Sequence, residues 1–302
     1  METVVQRGTL TVPNPEDQIA AGFLAGYRGV TRRDYTNGLR WWFEFLHQFN
    51  VPVLEAKRAH AELYMRHLEE NRHLKMSSIC GRMSPVVGFY KYAISEEIIG
   101  KSSVLFAKRP WVERVSTTNY LTRTELIDVL NLAQKTSPKH HAVVCLLGFN
   151  GVRVSELVGI DIETMGRERG YNTFSIVRKG GKTQTLPMAG RTWWAVETYM
   201  DGRTSGPLFL AWRSETERMP RYSVNNMVKG LVAKAGITKR ISPHSFRHSF
   251  ITLSLDAGVA GRDVQNSSGH ADSRMTSYYD RNKTSLARNA THTLSAYVEG
   301  AA

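Results

Sequence analysis

The sequence predicts a mainly α-helical protein of two domains, in which an all-helical first domain is followed by a mixed α+β domain with a small β-hairpin. Apolar residues recur at steps of three and four in most segments, and one stretch with strand-like composition surrounds a glycine pair. Periodicity is lost near residues 108–119. The length of 302 residues also exceeds what one compact core usually takes.

The first domain is predicted to contain helices only. Residues 1–18 are interpreted as a polar lead-in and residues 19–112 as the domain. Its first long helix is expected to begin at Thr31, where Asp34 completes a capping box. One face of that helix consists of Tyr35, Leu39, Trp42, Leu46 and Phe49. A second helix is expected from Ala56 to about Asn71, and a third and a fourth over about residues 77–99, a run that Pro85 should kink or split.

The second domain is predicted at residues 120–302, after a linker at 113–119. Thr122 and Glu125 form a capping box that begins its first helix. Strands at 173–177 and 183–187 should form a hairpin with Gly180-Gly181 at its tip. Further helices are expected near residues 140–149, 154–158, 192–200, 224–235 and 243–257, the last with Ser242 as N-cap and Pro243 at its first position.

Composition limits the partners and the compartment. A net charge of +13 and a pI near 9.8 favour a polyanion, with nucleic acid ahead of an anionic membrane surface. The beginning of the chain lacks a signal peptide's apolar stretch, and no apolar run approaches the ~20 residues of a membrane span. We therefore expect a cytoplasmic protein, associated with the nucleoid when bound to DNA, and no membrane contact.

Cysteine and histidine placement gives no sign of a disulfide framework or a cofactor. Cys80 and Cys145 lie far apart in apolar surroundings, which predicts core packing. His60 and the pair His140-His141 lack ligand spacing and an accompanying carboxylate cluster, so no metal or other cofactor is expected. The tryptophan pairs 41–42 and 193–194 are interpreted as core anchors rather than base-stacking platforms.

The second half of the chain carries groups suited to metal-free phosphoryl transfer. That chemistry requires a nucleophile, cations at the nonbridging oxygens and an acid for the leaving oxygen. A guanidinium suits the oxygens because its rigid fork bonds two of them while staying charged. The candidates occur in the order Arg153, Lys179, His244, Arg247, His270 and Tyr278-Tyr279. Taken singly, each has an ordinary interpretation, such as a surface ion pair or aromatic packing.

Together these residues resemble the catalytic signature of the tyrosine recombinases, the family of phage integrases and Xer-type recombinases. The resemblance covers residues 119–285, and residues 242–250, SPHSFRHSF, are similar to the family's most diagnostic box. In the family the nucleophile typically lies nine residues after the histidine that corresponds to His270, which selects Tyr279 over Tyr278. The first domain resembles the family's helical core-binding module, and the lead-in looks too short for a separate arm-site DNA-binding domain.

The resemblance implies a role for each matching residue. Arg153 and Arg247 would clamp the scissile phosphate, and His244 and His270 would add hydrogen bonds and help proton movement. Lys179 would protonate the leaving 5′ oxygen; Lys182, in the same hairpin, is the alternative acid.

Tyr279 would attack the phosphate to form a 3′-phosphotyrosine link, which keeps the bond energy for religation without ATP. Glu156 and His248 would support the site rather than react.

The sequence departs from the family pattern at a few positions. Ser267 and Ser268 stand where apolar residues are preferred, and Met275 replaces a common threonine. Pro85 interrupts a first-domain helix, and Arg178 precedes Lys179 where glycine is frequent. None of these changes removes a catalytic group.

The resemblance implies a site-specific recombinase that acts on two double-stranded DNA sites as a homotetramer. Its tail would dock into a neighbouring subunit, or alternatively onto its own domain, through Leu286, Ala290, Leu294, Ala296 and Tyr297. A type IB topoisomerase-like relaxer and a non-catalytic DNA-binding regulator are the alternative functions. The sequence leaves open whether an accessory DNA-bending or directionality protein takes part.

Overall fold

The computed structural model describes residues 14–112, 119–178 and 180–269, together with the single residues 291, 295 and 298. The chain divides into two compact units, Met1–Glu113 and Arg114–Ala302. Within the described part the fold is mainly helical with one three-stranded antiparallel sheet, which confirms the predicted fold class. None of the described helices is both long and apolar enough to cross a membrane.

The described part of the first unit contains α-helices and two short 3-10 turns. The helices are α1 Pro15–Ala25, α2 Gly29–Gln48, α3 Arg58–Glu70 and α4 Met76–Ser95, and the turns are Val53–Glu55 and Ser103–Phe106. Trp42 is fully buried at the centre, where its Nε1 donates to the Tyr90 hydroxyl at 3.1 Å. That hydroxyl donates in turn to the Val53 carbonyl. Burial raises the pKa of Tyr90, so the hydroxyl keeps the proton that this chain of hydrogen bonds needs.

The beginning of the first unit differs from the prediction. Helix α1 begins at Pro15, inside the segment interpreted as a lead-in, and buries Phe23 and Leu24. Helix α2 begins at Gly29, so Thr31 lies within the helix and its capping box with Asp34 was wrong. The first turn of α2 is exposed to solvent and has no side-chain cap.

Pro85 does not split the helical run predicted around it, because α4 continues through Pro85 as one helix. The ring of Pro85 is buried against Gly38 of α2, where an added Cβ would lie 2.5 Å from the proline Cγ. This close packing offsets the hydrogen bond that proline cannot donate. At the end of α2, Phe49 is 64% exposed and does not belong to the buried face predicted for it.

The second unit places a three-stranded sheet beside helices. The elements of its described part are α5 Arg123–Thr136, α6 Pro138–Asn150, α7 Val154–Val158, β1 Met165–Glu168, β2 Tyr171–Val177, β3 Thr183–Pro187, α8 Gly190–Met200, α9 Arg221–Lys234, α10 Pro243–Asp256 and α11 Gly261–Ser268, with a 3-10 turn at Ile162–Thr164. The strands pair in the order β1-β2-β3, with Phe174 opposite Leu186 in the predicted hairpin. The hairpin is confirmed; β1 and α11 were not predicted.

Helix α6 is the central element of the second unit. Residues 141–148 are all buried, and α6 packs against α5, α8 and α10. Cys145 lies in this run as a free thiol, and burial raises its pKa to about 12. The predicted capping box of α5 is confirmed, since Thr122 Oγ1 accepts from the Glu125 N–H and the Glu125 carboxylate accepts from the Thr122 N–H.

The tryptophan pairs are only partly core anchors. Trp42 is fully buried, whereas Trp194 is 49% exposed and packs its ring edge-on against His141. Trp41 is partly buried beside Arg82, whose guanidinium lies 4.2 Å from the ring centroid. Adjacent residues on a helix point about 100° apart, so both members of a pair cannot face one core.

Candidate active site

The turn between α6 and α7 presents Arg153. Gly151 is the C-cap of α6; its φ of +57° is left-handed, and an added Cβ would lie 2.4 Å from Phe250 Cδ1. Glycine is therefore required by both backbone conformation and space. Two residues later Arg153 occupies the N-cap of α7 with an extended backbone and a side chain that is 36% exposed. A guanidinium in this position is accessible to an anionic ligand.

Glu156 holds Arg153 in place. Its carboxylate accepts from the Arg153 backbone N–H at 2.7 Å and from Arg153 Nη1 at 2.7 Å, so it fixes both the main chain and the guanidinium. The Glu156 side chain is only 4% exposed and also accepts from Arg178 Nη1 at 3.1 Å. A buried carboxylate between two guanidiniums is a structural counter-ion, which fits the supporting role expected for Glu156.

Helix α10 supplies His244 and Arg247. Ser242 caps the helix by accepting from the Ser245 N–H, and Pro243 occupies the first turn, as predicted. His244 and Arg247 follow at helical spacing. Arg247 is 1% exposed, and its Nη1 donates to the Gly151 carbonyl at 2.8 Å. Its Nη2 donates to the Ser268 carbonyl, so this guanidinium joins the α6–α7 turn to the end of α11.

The surroundings of His244 favour the uncharged form of its imidazole. Desolvation by the protein lowers the pKa of His244 from 6.5, and the nearby Arg247 and Arg153 guanidiniums lower it further. The imidazole is consequently uncharged at neutral pH and offers one donor and one acceptor nitrogen. Its ring centroid lies 4.9 Å from that of His248, which is buried.

Arg178 is a site residue that the sequence did not identify as one. Its side chain is 7% exposed and pairs with Glu156, and its Nη1 and Nη2 also donate to the carbonyls of Ser268 and Ser267 at 3.0 and 2.9 Å. Its Nε donates to Gln184 Oε1 at 2.9 Å. In the sequence, Arg178 stands out only as an arginine at a position where the family often has glycine. That difference does not predict which distant residues its side chain contacts.

The structure thus brings five of the predicted site residues into one part of the second unit, namely Arg153, Glu156, His244, Arg247 and His248. Three others, namely Lys179, His270 and Tyr279, lie outside the described residues. Among the residues that the structure describes, no group of His, Cys, Asp and Glu is arranged to hold a metal ion.

The chemistry available at this cluster is recognition of a phosphate. Two guanidiniums held by buried acceptors present fixed positive charge, and a neutral imidazole adds a hydrogen-bond donor. A helical unit followed by a mixed unit with this arginine and histidine cluster is the arrangement expected of the DNA-recombining enzymes that the sequence resembles.

Two sequence families match the chain. The phage integrase family matches residues 119–285, and the phage integrase N-terminal SAM-like domain matches residues 24–97. The first match covers more than half of the chain. The chain belongs to the phage integrase family of tyrosine recombinases. It is accordingly an enzyme of site-specific DNA recombination.

Curated relatives have similar lengths. The tyrosine recombinase XerD of Chlorobaculum tepidum is 28% identical over 267 residues, which are 84% of this chain and 86% of that protein. The tyrosine recombinase XerC of Anoxybacillus flavithermus is 28% identical over 266 residues, which are 84% of this chain and 87% of that protein.

Solved structures share the fold. The Tn1549 transposon integrase in complex with transposon right end DNA has a TM-score of 0.72 at 19% identity, covering 93% of this chain and 99% of that one. A lambda integrase dimer bound to a core site has a TM-score of 0.71 at 14% identity, covering 89% and 77%.

Proposed function

We propose that this chain cleaves and rejoins DNA at two recombination sites through a 3′-phosphotyrosine intermediate on Tyr279, without metal or ATP. The observation that carries the proposal is the convergence of Arg153, His244 and Arg247 around one location in the second unit. Its domain 120–302 carries the chemistry, and its domain 19–112 binds DNA beside the cleavage site. It works on DNA in the cytoplasm.

In the first step the Tyr279 hydroxyl gives its proton to His270, and its oxygen attacks the scissile phosphorus while the bond to the 5′ oxygen breaks. Arg153 and Arg247 stabilise the charge that builds on the nonbridging oxygens, and neutral His244 donates a hydrogen bond to one of them. Lys179 supplies the proton that the leaving 5′ oxygen takes up, with Lys182 as the alternative acid.

In the second step the 5′ hydroxyl of another strand returns a proton to Lys179 and attacks the phosphotyrosine, and the tyrosine oxygen leaves and regains its proton from His270. The phosphodiester energy is conserved in the covalent intermediate, so the chemistry balances without a nucleotide cofactor. His244 and His270 help proton movement and hydrogen-bond the phosphate, and His248 supports the site without reacting.

The test is an SDS-resistant protein–DNA adduct on nicked duplexes selected by binding from a random library. Wild type and Tyr278→Phe are expected to form the adduct, and Tyr279→Phe is expected to bind DNA with unchanged affinity and form none. An adduct with Tyr279→Phe would contradict the nucleophile assignment. Binding by wild type without an adduct on any selected duplex would instead favour a non-catalytic regulator.

Assembly as a homotetramer is part of the proposal, because exchange between two duplexes requires four cleaving subunits. The amphipathic tail at residues 286–297 would dock on an apolar groove of a neighbouring copy. The second unit has such a groove, with a volume of about 790 Å³. Its apolar walls include Leu126, Ile127, Leu130, Phe149 and Leu253.

A charge on the groove wall tests this assembly. Ile127 is 43% exposed, so Ile127→Asp leaves the core intact and makes the groove unfavourable for an apolar helix. We expect it to prevent tetramer formation on DNA and exchange between two sites while single-site cleavage persists. Ile98→Asp is the matched control, since Ile98 is 42% exposed and belongs to the first unit. Tetramers of Ile127→Asp as stable as those of wild type would contradict the docking.

A further inference from the structure

We propose that Arg178 is a positioning residue that fixes the hairpin tip carrying Lys179 to the end of α11, and so places the proton donor for strand cleavage. The inference rests on the proposed function in one respect, the role of Lys179. The contacts of Arg178 themselves belong entirely to the described part of the second unit.

The guanidinium of Arg178 reaches three separate segments. From the hairpin it extends to α7, where Nη1 meets both carboxylate oxygens of Glu156 at 3.3 and 3.1 Å. It reaches the end of α11, where Nη1 and Nη2 donate to the carbonyls of Ser268 and Ser267. Nε donates back to Gln184 on β3. Every nitrogen of the fork thus has an acceptor, and a lysine offers no such planar set of donors.

The α11 contacts satisfy groups that the helix itself leaves unpaired. The last carbonyls of a helix have no N–H partner within it, and the partial negative charge there favours a cation. Arg178 supplies both a charge and two donors to the carbonyls of Ser267 and Ser268. Gln184 adds a third link, because its Nε2 donates to the Asn266 carbonyl at 3.0 Å. The end of α11 is therefore fastened to the hairpin.

The main chain of Arg178 is fixed as well as its side chain. Its N–H donates to the Lys182 carbonyl at 2.8 Å, and its carbonyl accepts from the Gly181 N–H at 3.1 Å. Lys179 therefore follows a residue whose backbone and guanidinium are both held. On the α11 side, the fastened carbonyls come directly before Gly269, the residue that precedes His270.

The contacts of Arg178 indicate a positioning role. Its Nε donates to Gln184 on β3, and its Nη1 and Nη2 donate to Glu156 and Ser267 in two other segments. It also shares Glu156 with Arg153, so its contacts extend to the guanidinium that we assign to the phosphate. A residue with these contacts acts on the reaction through the groups that it positions.

The test compares strand cleavage on two substrates. In one the leaving atom is the ordinary 5′ oxygen, and in the other sulfur replaces it, so that a thiolate leaves without needing a proton. Arg178→Gln is expected to slow cleavage of the ordinary substrate by about 100-fold, the size of effect that a displaced catalytic group gives. The sulfur substrate should recover at least about tenfold of that loss, as it should for Lys179→Ala.

Arg178→Lys and Arg203→Gln are the matched variants. Arg178→Lys keeps the positive charge but lacks the planar guanidinium. It should therefore cleave the ordinary substrate as slowly as Arg178→Gln and show the same recovery on the sulfur substrate. Arg203 is another guanidinium that donates to main-chain carbonyls, those of Pro207 and Leu208 at 3.0 and 2.9 Å, and its loss should leave the ratio of the two rates unchanged. An equal loss on both substrates in Arg178→Gln, or no loss, would overturn the inference.

Hydrogen exchange of the free protein separates this inference from the proposed function. Arg178→Gln should speed exchange at the Gly181 and Gly269 amides and leave those of α6 unchanged. Unchanged exchange at both amides would refute the fastening whatever the enzyme does. If wild type forms no adduct on any selected DNA, the proposed function fails, and the exchange measurement still decides whether Arg178 fastens the two segments.

Discussion

Removing the Glu156 carboxylate should unfold the second unit at a markedly lower temperature. The side chain is 4% exposed and accepts from the Arg153 backbone, the Arg153 guanidinium and the Arg178 guanidinium. Glu156→Ala leaves the Arg178 charge buried without its counter-ion. It also leaves the N–H of Arg153, the N-cap residue of α7, without its acceptor.

The expected magnitude follows from these contacts. Breaking a buried ion pair by removing one partner costs about 3–5 kcal/mol, and losing a helix cap costs about 1 kcal/mol. Arg153 is 36% exposed and can regain water, so its share is small. A total of about 4–6 kcal/mol lowers the melting temperature of a domain of this size by about 8–24 °C.

Thermal denaturation followed by circular dichroism measures this change. Glu168→Ala is the control, because Glu168 belongs to an exposed pair with Arg169 in the same unit and should leave the melting temperature unchanged. In a double-mutant cycle Glu156→Ala and Arg178→Gln should be coupled by about 1–3 kcal/mol, since each variant removes the other's partner. Additive costs, or a shift no larger than that of Glu168→Ala, would refute the reasoning.

Other consequences of the structure are measurable. Gly269→Ala should lower the free energy of unfolding in urea by about 2 kcal/mol, because its φ is +63° and an added Cβ would lie 2.8 Å from the Arg178 guanidinium carbon; a neutral substitution would contradict that close approach. In the native protein a thiol reagent should modify Cys80 and spare Cys145, whose side chain is fully buried and whose pKa is raised to about 12, and rapid modification of both would contradict that burial. Stability should fall as the pH drops below about 6.5, because burial lowers the pKa of His141 in the folded state and the unfolded chain takes up the proton first. His141→Gln should flatten this dependence in urea unfolding at pH 7.5 and 5.5, and an unchanged slope would rule His141 out as its source.

Local signals predicted much of the second unit. The capping box at Thr122, the glycine pair in the hairpin and the Ser242-Pro243 start of α10 each determine structure within a few residues, and the structure has all three. Strand β1 has four residues, of which three are exposed, so it shows no alternation. It forms because it pairs with the edge of β2, and the residues of β1 alone do not predict that pairing.

Contacts between distant segments explain the remaining differences. The order of Arg153, His244 and Arg247 along the chain indicated a common site, but the backbone carbonyls that hold Arg247 carry no sequence signature. The same applies to Pro85, whose fit against Gly38 depends on how two helices pack. Helix propensities describe only the local free energy of a residue and omit the stabilisation that tertiary packing provides.

Under the proposed function, the two carbonyls that hold Arg247 affect the entropy of DNA binding. A free arginine side chain carries about 2 kcal/mol of rotamer entropy, which is lost when a ligand immobilises it. Arg247 is 1% exposed and already bound to Gly151 and Ser268, so folding has ordered it before any DNA arrives. A phosphate that meets this guanidinium therefore gains the interaction without having to restrict the side chain.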